Sequence, residues 1–258
     1  GGAGNVVMNL RSLMATPVPV GFIGKDQDGE RILSIFKEKQ IPTDGLIQID
    51  NFRTPKKSRI LSGGENTKKQ QVLRIDTRNE IRPGVSENAQ LLERISDLTD
   101  PEGLIIVSDY LEETVNPEIF KQLKKRFPKM QSVIDSRKNL LKFEQASILT
   151  PNEPEMKNLF PNNSFLSESD YLEAGTTLLK NQDVTGVLFK RGHKGMIVFS
   201  KNNSPEKIDI YGSSSIVDVT GAGDTVISVL SLSLLSGLSV YQSAMLANIA
   251  GGIVVMYE

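Results

Sequence analysis

The stretch DVTGAGD, residues 218 to 224, runs directly into TVISVLSLSLLSGL, whose apolar residues recur at helical spacing. Two glycines and an aspartate therefore stand at the mouth of a core helix. Gly221 and Gly223 permit backbone conformations and close approaches that a side chain forbids. Successive free N–H groups at a helix start, with the helix dipole behind them, form a cradle for an anion. An acid beside a bound phosphate repels it unless the acid has a task, and taking a proton from an attacking hydroxyl is such a task for Asp224. On this stretch alone, a helix N-cap at Asp224 and a tight turn at the glycines stand as the alternative.

Other residues carry weaker chemistry. TPNEPE sets Asn152 and Glu155 directly after a strand-like SILT. Their oxygens suit Mg²⁺ held together with its waters; the competing reading has Thr150 as a helix cap, Pro151 in the first turn and Glu155 complementing the dipole. Lys57, Arg59 and Arg74 fall on a predicted hairpin, where cations facing a cleft satisfy a phosphate dianion, or where they are simply a solvated strand face. Asp109 and Asp135 lie at strand C-termini, the edge at which open α/β sheets bind ligands. His193, the single histidine, has no acid–base partner near it in sequence and reads as a turn residue. GFIGKD is too short between its glycines for a P-loop, and no G-x-G-x-x-G opens a helix after a strand. Protein-kinase signatures are absent.

The elements that must position these groups alternate between short β-branched runs and longer amphipathic segments, the pattern of a parallel sheet covered by helices on both faces. Residues 18–23, 103–109, 132–135, 147–150 and 186–190 read as strands, and 29–40 as a helix. Two hairpins break the rule: 56–62 with 70–76, and 196–211 around KNNSPE. The whole is predicted as one α/β domain spanning 1–258, with the first hairpin as a small lid at 52–78. Its bulk properties are those of an ordinary globular protein: 258 residues, 38% hydrophobic and 24% charged, with net charge -1. That charge offers no field for nucleic acid or a membrane surface. With no cysteine and one histidine, disulfide frameworks, zinc fingers and histidine-rich metal sites are excluded, so any metal must be held by oxygen ligands. The longest apolar run is shorter than the roughly 20 residues that span a bilayer, and no charged and apolar leader opens the chain, so the expected compartment is the cytoplasm.

DVTGAGDTVISV resembles the C-terminal signature of the PfkB (ribokinase-like) carbohydrate kinases, and GGAGNVVMNL resembles the N-terminal one. GFIGKDQDG, the lid-like KKSRILS and QQVLRID, SDY, TPNEPE and KRGHKGM follow in family order, so the resemblance covers essentially the whole chain. Within the family, TPKKSRIL, VLRID, SDYLEETV and DVTGAGDTVI are most similar to the heptose 7-phosphate kinase and ADP-heptose synthase group. The resemblance implies a three-layer α/β/α fold with a mostly parallel central sheet and a small β lid. It also implies ATP-dependent phosphorylation of a phosphorylated seven-carbon sugar at its anomeric hydroxyl, with Mg²⁺ and a monovalent cation as further cofactors. Asp224 then matches the catalytic base, and the amides of Gly221, Ala222 and Gly223 match the anion hole. Asn152 and Glu155 match an N-x-x-E motif that organises the metal through its waters. Lys190, Gly192, Gly195 and Asn248 fall on the nucleotide side. Gly1, Gly2 and Asn5, with Lys57, Arg59, Arg74 and Asp109, fall on the sugar side. The exposed lid hairpin is a ready pairing edge and predicts a homodimer.

Members of the family normally carry a strand and a lid segment ahead of the Gly-Gly signature, and this sequence begins on the signature itself. Missing that strand is expected to expose apolar neighbours and to weaken sugar affinity and turnover. A nucleotide- or sugar-binding protein without turnover is the reading from a different class.

Overall fold

The computed structural model describes residues 2–63, 70–77, 79, 81–111, 115–212 and 220–256. The expected site residue Gly1, the turn at 64–69 and the approach to the glycine motif at 213–219 lie outside them. By its contacts the chain divides into two compact units, one spanning 16–98 and the other 2–15, 99–111 and 115–258. The first helix, α1 (Ala3–Ser12), belongs to the second unit.

The first unit contains β1 (Gly21–Gly24), α2 (Gln27–Glu38), β2 (Leu46–Ile49), β3 (Lys56–Ser62), β4 (Gln70–Thr77) and α3 (Val85–Leu98). β1 is shorter than the expected 18–23 and starts later. Pro17 and Pro19 lack the N–H that a ladder needs, which keeps the preceding segment out of the sheet. β1 and β2 pair in parallel, and β3 and β4 form the expected antiparallel hairpin. α2 begins two residues before the expected start because Asp26 caps it, its side chain accepting from the Gly29 N–H.

Asp26 also ties this unit together. Its carboxylate accepts from the Thr54 backbone N–H at 2.8 Å and from the Thr54 hydroxyl at 2.7 Å. The same hydroxyl accepts from the Gly24 N–H at 2.9 Å, so β1, α2 and the root of the hairpin share one buried polar knot. Burial pushes the Asp26 carboxyl up, but the hydrogen bonds from Thr54 and Gly29 outweigh it and hold it below its ordinary value.

The second unit carries β5 (Leu104–Asp109), α4 (Pro117–Arg126), β6 (Gln131–Ser136), β7 (Ile148–Leu149), α5 (Glu153–Leu159), α6 (Glu168–Asn181), β8 (Gly186–Lys190), β9 (Met196–Ser200), β10 (Glu206–Ile208), α7 (Ala222–Leu235) and α8 (Val240–Val254). Its six-stranded sheet runs in the order β10-β9-β8-β7-β6-β5. The pairs from β5 to β8 are parallel, and β9 and β10 add antiparallel to the far edge. Successive strand side chains face opposite sides, and here both sides are apolar. Ile134, Leu149, Val187, Phe189, Ile197 and Phe199 join Phe120, Met156, Tyr171 and Leu178 in one core. Their neighbours Val133, Ile148, Leu188, Met196 and Val198 join Val226, Leu230, Ala244 and Ala247 of α7 and α8 in the other. A sheet buried on both faces reads as continuous β-branched and aliphatic runs, and this unit is accordingly three layers deep.

Thr54→Val keeps the volume but strips the knot of its hydroxyl, leaving the buried Gly24 N–H without its acceptor. Urea denaturation at pH 7 is expected to show a loss of about 1–3 kcal/mol. Because the folded-state pKa of Asp26 is depressed, the carboxylate's contribution is present above its unfolded value near 3.8 and disappears as pH falls through the folded one. The gap between variant and parent should therefore narrow in acid.

Candidate active site

α7 is an apolar helix whose mouth is polar. Its N-cap, Gly221, has φ 85, a left-handed conformation, and provides no side-chain cap. A side chain at 221 would also press on Asn5 Nδ2. Glycine is thus favoured by backbone conformation, and its missing Cβ leaves the Asn5 amide where it is. The result is a helix start whose amides at Ala222 and Gly223 face no capping side chain of Gly221, the arrangement that suits an anion.

Asp224 sits in the first turn of α7 and is 5% exposed. Both of its carboxylate oxygens are held. Asn5 Nδ2 donates to Oδ2 at 2.8 Å, and the Tyr110 hydroxyl donates to Oδ1 at 2.7 Å. Tyr110 follows the end of β5, and Asn5 comes from α1. α1 reaches this place because Val6 and Leu10 pack on Ile227 of α7. Asn9 donates to the Thr225 hydroxyl across the two helices, which pins them in register; the Ser228 hydroxyl donates to the Asp224 carbonyl of its own helix at 2.7 Å. Asp224 is therefore not the cap of its helix; its oxygens go to side chains from two other elements.

A second polar group lies along the C-terminal ends of β6, β7 and β8. Lys190 Nζ contacts Asp135 Oδ1 at 2.6 Å, with both side chains largely buried, and the Thr150 hydroxyl donates to the same oxygen at 3.0 Å. Asn152 and Glu155 bond each other: Asn152 Oδ1 accepts from the Glu155 N–H, and Glu155 Oε2 accepts from the Asn152 N–H. That reciprocal capping box starts α5 at Asn152 rather than at Thr150. Burial pushes the Glu155 carboxyl up, opposed by the Lys190 charge and the Asn152 N–H. Among the described residues no cluster of three or more carboxylate or imidazole groups gathers for a metal. The Asn152 and Glu155 oxygens suit an ion held through its waters better than one bound directly.

Other expected residues have internal partners. Asp109, expected on the sugar side, is 4% exposed and accepts from the Leu111 N–H, the Ser136 hydroxyl and Asn139 Nδ2. Here it ties the end of β5 to the loop after β6. Asn248, expected near adenine, is buried and donates to the Asp209 carbonyl. Gly192 opens a short 3₁₀ turn between β8 and β9 that also holds His193, and Gly195 closes it against the Ile208 carbonyl. On the hairpin, Lys57 lies opposite Asp76 and Arg59 opposite Arg74. The three expected cations thus share one face, with Arg74 paired to Asp76 at 2.9 Å. Tyr110 and Arg137 escaped the sequence reading. SDY was visible as a motif, but nothing local shows that its tyrosine meets a residue 114 positions away.

The pfkB family carbohydrate kinase profile matches residues 1–258. The chain belongs to the pfkB family of carbohydrate kinases. Within that family the kinase is similar to the bifunctional protein HldE of Histophilus somni, at 34% identity over 257 residues, covering 99% of this chain and 52% of that protein. The chain thus spans about half the length of the curated relatives it matches. Its fold is that of phosphofructokinase-2 from Escherichia coli in complex with potassium, with TM-score 0.82, 18% identity and coverage of 100% of this chain and 82% of that one. Arabidopsis thaliana ribokinase complexed with ribose and ATP gives TM-score 0.76 at 19% identity, covering 99% and 80%. The ribokinase-like α/β fold with a mostly parallel sheet follows from these likenesses.

Gly221→Ala of this kinase adds a Cβ to a left-handed residue, which costs about 1–2 kcal/mol, and presses on Asn5. The expected outcome is a loss of phosphoryl transfer of about tenfold or more with far-UV circular dichroism unchanged. Full activity in a folded Gly221→Ala protein would show that the helix mouth tolerates a shift of Asn5.

Proposed function

We propose that the chain is an ATP-dependent sugar kinase that transfers the γ-phosphate to a hydroxyl of a phosphorylated sugar, D-glycero-D-manno-heptose 7-phosphate at its anomeric position. The observation that carries this reading is Asp224, a buried carboxylate held by two neutral donors in the first turn of α7, behind a glycine N-cap. An acceptor hydroxyl within hydrogen-bond reach of Asp224 gives up its proton as its oxygen attacks the γ-phosphorus. The bond from that phosphorus to the bridging oxygen breaks, and ADP leaves with the electron pair. Amides at Gly221, Ala222 and Gly223 stabilise the charge that builds on the phosphoryl oxygens.

Lys190, the turn from Gly192 to Gly195 and Asn248 are assigned to the nucleotide side. Mg²⁺ would be held by Asn152 and Glu155 through water and would neutralise charge on the phosphates; a monovalent cation belongs to the same proposal. A kinase that consumes ATP works where ATP is, which supports a cytoplasmic location.

The preference for a phosphorylated sugar rests on the hairpin and on likeness to HldE. Arg59 and Arg74 stand directly across the ladder from each other; Asp76, paired with Arg74 on the same face, offsets part of that charge, and the surplus of positive charge suits a phosphate dianion. Lys57 adds a third cation to that face, and Gly2 and Asn5 supply small and amide groups for sugar hydroxyls. The opposite face carries Ile60, Leu73 and Ile75, each 45–50% exposed. A second copy of the hairpin would cover it, so homodimerisation through the lid is part of the proposal. Leu73→Asp is then expected to shift the sedimenting species from dimer to monomer without unfolding the chain; a parent protein that is monomeric at micromolar concentration overturns the dimer.

The central test is ATP consumption against heptose 7-phosphate, hexose phosphates and ribose, with Asp224→Asn as control. Heptose 7-phosphate is expected to give the highest kcat/KM, and Asp224→Asn to lower kcat by about 10²–10⁴-fold while nucleotide binding is kept. Turnover unaffected by that substitution removes Asp224 as the base. A better hexose phosphate or ribose substrate keeps the kinase and changes its sugar.

A further inference from the structure

The Tyr110 ring has a cation over it and a glycine beside it. The Arg137 guanidinium lies over one part of it, 4.8 Å from the centroid. Gly2 lies close by, with φ 53, and a Cβ there would sit 3.0 Å from Tyr110 Cδ2. The ring's position leaves its hydroxyl 2.7 Å from Asp224 Oδ1. Gly2 and Asn5 are three residues apart at the start of α1, so one short segment leaves room for the ring at Gly2 and grips the other carboxylate oxygen with the Asn5 amide.

We propose that Tyr110 is a positioning residue for Asp224, fixing the rotation of its carboxylate so that the remaining lone pairs face the acceptor hydroxyl; this rests on the reading of Asp224 as the base. A carboxylate has about four lone-pair sites. Tyr110 and Asn5 occupy one on each oxygen, which stops the carboxylate from turning about its own axis and leaves acceptor capacity on both oxygens. Burial and the neighbouring Asp224 charge raise the phenol well above its ordinary range. The hydroxyl therefore stays protonated and serves as a donor, leaving the accepting role to Asp224. Misplacement by about 1 Å at such a site costs on the order of 10²-fold in rate.

Tyr110→Phe removes the hydroxyl and keeps the ring beside Gly2 and under Arg137. Steady-state kinetics on the full chain, with ATP and the sugar phosphate that turns over best, are expected to show kcat reduced about 10–100-fold with KM for ATP within about twofold. A kcat equal to the parent's, or a KM for ATP that moves as far as kcat, overturns the positioning role. Asp224→Asn is assayed alongside: its full activity defeats the base reading itself, whereas its inactivity beside a fully active Tyr110→Phe defeats only the role of Tyr110. A second measurement needs no turnover. The chain has five tyrosines and no tryptophan, so its emission is tyrosine's own, and a phenol that donates to a carboxylate is quenched. Asp224→Asn is expected to brighten the emission when Tyr110 is present and to leave it unchanged in a Tyr110→Phe background. Equal brightening in both backgrounds overturns the contact.

Discussion

The hydrogen bond from Asn5 to Asp224 joins residues 219 positions apart, and the rest of the site follows from what it takes to make it. α1 has to lie along α7, which Val6, Leu10 and Ile227 achieve by burial and the polar contact of Asn9 with Thr225 makes register-specific. Residue 221 favours glycine, since the cap is left-handed and a Cβ there would push the Asn5 amide away from Asp224. Apolar contact between two helices is tolerant of sliding and rotation, whereas a side-chain hydrogen bond at 2.8 Å is not. The polar contacts therefore convert a general preference for packing into one arrangement of the carboxylate.

The three layers of the larger unit have the same logic on a larger scale. Alternate residues of β6 to β9 feed two separate cores, so the strands are fixed from both sides and their C-terminal ends have little freedom. Asp135, Asn152 and Lys190 stand at or just beyond the C-terminal ends of β6, β7 and β8, and Tyr110 just beyond that of β5. Side chains set on such an edge inherit the rigidity of the sheet, and the adjacent helix start adds oriented amides.

Much of this was legible in the sequence, for reasons that can be named. The strands of the second unit appear as apolar runs because both of their faces are buried, and Asp224 stands out because an acid behind two glycines at a helix mouth is unusual. What was not legible depends on contacts distant in sequence or on a shift of one or two residues. N-x-x-E carried the spacing of a capping box, but Thr150 and Asn152 are both plausible caps. Only the structure separates them, giving Thr150 to Asp135 and Asn152 to Glu155. Asp109 looked available because it ends a strand, yet Ser136 and Asn139 occupy its Oδ2. Tyr110 was passed over because a tyrosine after a strand has no signature of its own.

Two carboxylates near one sheet edge, Asp135 and Asp224, differ in the kind of partner that holds them. Asp135 is bonded to the ammonium of Lys190, so its charge is compensated by direct contact and the pair is a fixed neutral unit. Asp224 has an amide and a phenol as its bonded partners, both neutral. Neutral donors orient a carboxylate without cancelling its charge. A group meant to accept a proton from an incoming hydroxyl needs orientation and an uncancelled charge together, whereas a group meant to hold a lysine in place needs only the attraction. Exchanging the partners of the two aspartates would leave each buried and hydrogen-bonded, but would put the compensated one at the helix mouth. The distinction lies in the charge of the donors, which is why the amide of Asn5 and the phenol of Tyr110 suit this place better than a lysine would.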